Sequence, residues 1–192
     1  AENTRRELET LRLSLDKVVE LRPNKGAVIA TPAAEDVRQI FAARRLLEIG
    51  IIDDACKFCA VADTQALKDI VARENTAIQT GDRSGAIRLA GEFHVRLAGV
   101  ARNKPIQELL RQLVAQSSLA LALYEAPGHL LCVDDDHIDI VDAVTAGEAV
   151  KCRDLMTNHL AKAEAEMKLD APPGNNDLKS VFAEVIEARA TA

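Results

Sequence analysis

The 192 residues are 48% hydrophobic and 28% charged, with 3% aromatic side chains and no Trp. A chain rich in Ala, Leu, Glu and Arg and poor in strand formers favours helices packed on helices, and its net charge of −6 argues against nucleic-acid binding over the whole surface. No apolar run reaches the ~18–20 residues needed to cross a bilayer, and AENTRRELETLRLS lacks the apolar core of a signal peptide, so the expectation is a soluble cytoplasmic protein.

The acidity is uneven. Residues 1–25 carry six Lys/Arg and five Asp/Glu, so the net negative charge lies wholly beyond them. Within this start, residues 5–15 place Leu8, Leu11 and Leu15 at helical spacing. VVELRPNKGAVIA then sets two short β-branched runs around Pro23-Asn24-Lys25-Gly26, the pattern of a β-hairpin. A helix tail and one hairpin cannot bury a core alone, so residues 1–30 read as an appendage or a remnant of something larger.

From Thr31 onward helices are expected almost throughout. Thr31-Pro32 supplies a capping hydroxyl and a proline for a first helix reaching about Ala60. Asp63-Thr64 opens a second to about Thr80, and a third covers about Ser84–Ala101. Pro105 starts a fourth that ends near Tyr124, before Ala126-Pro127-Gly128. Asp134–Asp136 caps a fifth ending near Gly147, Glu148 begins a sixth to about Leu169, and a seventh follows APPGNND from about Leu178 to Ala190. The short connections predict an antiparallel all-α bundle of six or seven helices.

Cys56, Cys59, Cys132 and Cys152 do not form a disulfide pattern for a chain of this length. Cys56 and Cys59 form a CxxC inside a helical run with no second CxxC, and residues three apart share a helix face, so packing is the expected role.

The chemistry centres on histidine. His94 lies in the stripe Ile87, Ala90, His94, Leu97, Ala101; His137 in Val133, His137, Ile140, Val144; His159 in Cys152, Met156, His159, Ala163. Three helices each turn one imidazole inward, while His129 in its Pro-Gly-His loop reads as a surface residue. Two readings stand: three core histidines, each satisfied by a hydrogen bond, or one shared divalent metal. Three imidazoles with an open position suit Zn, and also Ni, Fe, Co or Mn.

Two stretches carry a family resemblance. LRPNKGAVIATPAAEDVRQIFAARRLLEIGIIDDA resembles the end of the DNA-binding wing and the first sensor helix of the GntR family of transcription regulators, FadR-like branch. GEFHVRLAGVARNKPIQELL with DDDHIDIVDAVTAGEAVKCRDLMTNHL resembles the histidine segments of that branch's ligand-sensing FCD domain. The resemblance implies metal ligands at His94, His137 and His159. It also implies an aspartate one turn before the first of them, where this chain has Ala90; Glu92 is off that helix face. A ligand set of neutral nitrogens should favour an anionic effector bound directly to the metal. By the same resemblance Arg44 faces the effector cavity, although it could equally form a helix-surface ion pair with Glu48. Asn103 either touches the pocket or caps the next helix. Arg5, Arg6, Arg22 and Lys25 would lie near DNA, unless Glu7, Glu9 and Glu20 mark a merely solvated turn.

The expectation is a ligand-responsive, DNA-binding transcription regulator and not an enzyme. Residues 1–30 would be a partial winged helix, and 31–192 an FCD-like domain that binds a small organic acid at a metal and forms a homodimer. A three-histidine metalloenzyme is the first alternative, opposed by the lack of a general base in the three histidine stripes. A metal-free helical interaction domain is the second.

Overall fold

A computed structural model gives the fold for residues 10, 11, 13, 14, 16–23, 26–124 and 136–170. The expected seventh helix, His129, Cys132, and the Arg5, Arg6 and Lys25 candidates lie outside these described residues.

Residues 10, 11, 13 and 14 are helical, and the hairpin forms where the two β-branched runs predicted it. Strand β1 (Val19–Arg22) pairs antiparallel with β2 (Gly26–Ile29), in a register running from Val19↔Ile29 to Arg22↔Gly26. Gly26 sits at φ 71, a backbone region that suits a residue without Cβ. Val18 is buried before the hairpin, and its carbonyl accepts from the Ala30 N–H at 2.9 Å after it, closing the neck.

Seven helices follow the hairpin among the described residues: α1 (Ala34–Gly50), α2 (Ile52–Phe58), α3 (Val61–Thr80), α4 (Arg83–Val100), α5 (Lys104–Tyr124), α6 (Asp136–Thr145) and α7 (Ala149–Ala165). The first expected helix is in fact two. Gly50 is a poor helix former, and Asp53 and Asp54 favour the start of a new helix just beyond it, so the run breaks at Ile51 and α2 begins. Thr31 and Pro32 stay outside α1. Its N-cap is Ala33, whose N–H is held by the Asp36 carboxylate at 3.2 Å. The same device opens α3, where Asp63 accepts from Ala60 N–H at 3.1 Å. Both aspartates act from the third helical position, so the helices begin elsewhere than the Thr31 and Asp63 signals suggested. Helix α7 stops at Ala165, short of Leu169, and the Lys168 N–H turns back to the Tyr124 carbonyl at 2.9 Å.

Helix α4 is the central element, packed against α2, α3 and α5, while α7 packs against α1, α2 and α6. Gly91 permits the close approach to α5, since a Cβ there would meet the Val114 side chain at 3.0 Å. The core holds Phe41, Phe93, Leu97, Leu110, Ile140, Met156 and Leu160, each fully buried, and each such side chain contributes about 1.5–3 kcal/mol of apolar burial. Two of its stripes carry charged residues. Helix α1 buries Val37, Ile40, Phe41, Arg44 and Glu48; α3 buries Leu67, Ile70, Val71, Glu74 and Ala77.

Candidate metal centre

The inward stripes of α4, α6 and α7 deliver His94, His137 and His159 to one point, at 4%, 3% and 5% exposure. His159 Nε2 stands 3.1 Å from His137 Nε2 and 3.2 Å from His94 Nε2. Phe93 buttresses the cluster, its ring 4.2 Å from that of His137. The three side chains form a group able to hold a metal ion.

The opposite ring nitrogens are tied down by carboxylates from other helices. His94 Nδ1 lies 2.5 Å from Glu48 Oε2 on α1, and His137 Nδ1 lies 2.7 Å from Glu74 Oε2 on α3. An imidazole that donates from Nδ1 keeps a bare lone pair at Nε2. His159 Nδ1 is buried without a hydrogen bond among the described residues, with Asp136 Oδ2 at 3.5 Å.

Electrostatics sort these groups. Burial pushes Glu48 up, but Arg44 and His94 outweigh it and bring the carboxyl down to about 2. Burial drives His94 down to about 3 despite the Glu48 charge, and takes His137 well below its ordinary value with His159 adding to the effect. Burial raises Glu74 to about 7. At neutral pH His94 and His137 are therefore neutral imidazoles beside an ionised Glu48, the protonation state that a metal ion requires of histidine.

The donor set fits a divalent cation. Ligands at the ~2.0–2.1 Å of a Zn–N bond in a tetrahedron are ~3.3 Å apart, close to the two Nε2 separations of 3.1 and 3.2 Å. All three are nitrogen donors suited to Zn, Ni, Fe or Co. Ala90, one turn before His94 on α4, brings no donor.

Arg44 makes the ion pair with Glu48 that its spacing predicts, but in the core, not on the helix surface. It is 4% exposed, and its Nε donates to Glu48 Oε1 at 2.8 Å. Nη1 donates to Ser117 Oγ at 3.0 Å, while Nη2 is buried with no hydrogen-bond partner among the described residues. Asn103 Oδ1 accepts from Ile106 N–H at 3.2 Å, the capping bond of α5. Arg22 is exposed on β1 and paired with Glu20 at 2.9 Å.

Glu48 and Glu74 are the residues sequence reasoning missed as partners of the histidines. No carboxylate lies in the three histidine stripes because the carboxylates come from α1 and α3. Their signal was available: an acidic residue in phase with an otherwise apolar helix face.

The FCD domain family matches residues 39–162, which include all three histidines, Arg44, Glu48 and Glu74. The HTH-type transcriptional regulator LutR of Bacillus subtilis (strain 168) is 27% identical over 139 residues, covering 68% of this chain and 61% of LutR. The chain thus spans less than two thirds of that relative's length. Among solved structures, E. coli McbR/YncC superposes with a TM-score of 0.68 at 16% identity, covering 83% of this chain and 81% of its own. A GntR transcriptional regulator from Rhodococcus sp. RHA1 gives 0.66 at 22% identity, covering 86% and 79%. LutR and the Rhodococcus protein are named as regulators of transcription, not as enzymes. The chain belongs to the FCD-domain family, within the FadR-like branch of the GntR regulators.

Proposed function

We propose that the chain is the sensing part, with a fragment of the DNA-binding part, of a ligand-responsive transcription regulator that works in the cytoplasm as a homodimer. Residues 1–30 are the partial winged helix, and Arg5, Arg6, Arg22 and Lys25 meet operator phosphates there. Residues 31–192 form the effector-binding and dimerisation domain. His94, His137 and His159 hold a divalent metal, zinc first, with nickel, manganese or iron as alternatives. When bound, the ion supplies a positive Lewis-acidic position for an anionic group.

The observation that supports this reading best is the occurrence of three convergent imidazole nitrogens together with a buried guanidinium nitrogen that has no hydrogen-bond partner among the described residues. The Arg44 charge acts on both His94 and His137, and its Nη2 is a ready donor for a carboxylate. A small organic acid is the ligand class that answers a cation and a guanidinium together. Asn103 serves the cap of α5, beyond the end of α4, and is left out of the effector contacts. An effector that binds one arrangement of the bundle better than another would alter the spacing of two DNA-binding heads.

A thermal-shift screen of sugar acids, hydroxy acids and dicarboxylates, run with and without chelator, tests the reading. The expected result is stabilisation by at least one class that chelator abolishes. No hit in any class would overturn the sensor assignment.

A further inference from the structure

We infer that Glu48 and Glu74 are positioning residues of the histidine centre: each accepts the hydrogen bond of one imidazole Nδ1–H and so turns a bare Nε2 toward the common point. The inference rests on the proposed metal-binding reading and specifies how this chain builds the site with an alanine at position 90.

The case begins with what each helix can supply. Helix α4 has one inward ligand, His94, and Ala90 gives nothing one turn earlier. A neutral imidazole left to water rotates and exchanges between its two tautomers, so three of them on three helices would not keep their lone pairs aligned. The carboxylates remove that freedom. Glu48 reaches His94 from 46 residues away at 2.5 Å, and Glu74 reaches His137 from 63 residues away at 2.7 Å. Each is almost wholly buried, at 1% and 2% exposure, and the imidazole gives it the hydrogen-bond partner that a polar group taken out of water requires. The bonded oxygen sits on the Nδ1 side of its ring, opposite the Nε2 atoms that approach to 3.1 and 3.2 Å, so neither carboxylate competes for the centre. A histidine that donates to a carboxylate is also a more basic ligand, and loss of such a partner typically costs 10–100-fold in metal affinity.

The two carboxylates are not equivalent. Glu48 also neutralises Arg44 through its other oxygen at 2.8 Å. Glu74 has no ion pair with Arg or Lys among the described residues, and its one hydrogen bond is to His137. Glu74→Gln is therefore the clean probe, and Glu48→Gln the second.

The test uses the full chain, freed of metal by chelator and titrated with Co²⁺ and Zn²⁺ against a competing indicator, alongside ¹⁵N spectra of the histidine rings in the metal-free state. Wild type is expected to show a protonated Nδ1 and a bare Nε2 at His94 and His137. Glu74→Gln should weaken Co²⁺ and Zn²⁺ binding 10–100-fold, change the Co²⁺ absorption spectrum, and alter the ¹⁵N signature of His137 but not of His94. Glu48→Gln should do the reverse for the two rings. A wild type that binds neither ion overturns the metal reading itself. A wild type that binds, with a folded Glu74→Gln binding within a factor of two and with an unchanged spectrum, leaves the metal reading intact and overturns the positioning role. Should Glu48→Gln fail to fold, Glu74→Gln alone decides.

Discussion

Glu48 joins Arg44 to His94 through separate oxygens: Oε1 accepts from the guanidinium Nε at 2.8 Å and Oε2 faces the imidazole Nδ1 at 2.5 Å. One buried carboxylate thus serves both the cation of α1 and the ring of α4. Its ionisation is set by both, as burial alone would have raised it and the two partners bring it to about 2.

Removing Arg44 should be strongly destabilising. Arg44→Met leaves the Glu48 charge in the core with only a neutral imidazole beside it, and breaking a buried pair on one side costs about 3–5 kcal/mol. Arg44→Lys should recover part of that loss, since it restores charge without the planar fork that reaches both Glu48 and Ser117. Urea unfolding measures both. A loss below ~1 kcal/mol for Arg44→Met would mean Glu48 is protonated in the fold.

Metal should stabilise the fold, and each histidine should matter. At a free concentration 100 times Kd, a ligand that binds only the folded chain adds about 2.7 kcal/mol. Addition of Zn²⁺ to chelator-treated protein is expected to raise Tm, and His94→Ala, His137→Ala and His159→Ala should each abolish that rise. A variant that retains the full shift would remove its histidine from the ligand set.

The metal-free protein should lose stability as pH falls below about 6.5. An unfolded histidine takes up a proton near 6.5, but folded His94, brought to about 3, and His137, well below its ordinary value, do not. Glu74 acts the other way, since the folded form binds a proton from about 7 downward while the unfolded one waits until near 4.5. Between 6.5 and 4.5 the unfolded state therefore binds two protons against one. The net of one proton gives a loss of about 1.4 kcal/mol per pH unit. Denaturant midpoints at pH 7, 6 and 5 check it; a flat profile would mean that the histidines protonate without unfolding.

The thiols should be slow to react. Burial raises Cys152 to about 12 and also raises Cys56, and each thiol influences the other across α2 and α7. Native protein at pH 8 should resist iodoacetamide at both positions, with labelling complete only in denaturant. Rapid native labelling of Cys152, read by peptide mass, would show that α7 lifts from α2.

The inward face of α4, α6 and α7 was legible in the sequence because helical periodicity is a local signal. His94, His137 and His159 each fall in phase with their apolar neighbours, and all three are buried. The helix starts at Ala34 and Val61 were less legible, since the capping aspartates Asp36 and Asp63 act backward onto residues with no capping side chain of their own. The break at Ile51 hid within a continuous apolar pattern. Glu48 and Glu74 were visible as charges in apolar stripes, but which histidine each meets depends on how α1 and α3 pack, a long-range relationship that periodicity does not encode. Arg44 shows the same divide: its pairing with Glu48 followed from spacing, its burial did not.

The centre is assembled from chain segments far apart. Its contacts span 46, 63, 65 and 22 residues, so closing them requires α1, α3, α4, α6 and α7 all to be in place. Non-local contacts of this kind form late, after the loop-closure entropy has been overcome. An intermediate lacking α4, α6 or α7 lacks one of the three nitrogens, and one lacking α1 or α3 lacks a carboxylate beside them. Metal capture would then act as a check on completed folding: a chain stalled on the ribosome before α7 emerges has no His159 to offer, and a proteolytic cut that releases α7 would empty the site and disarm the sensor in one step.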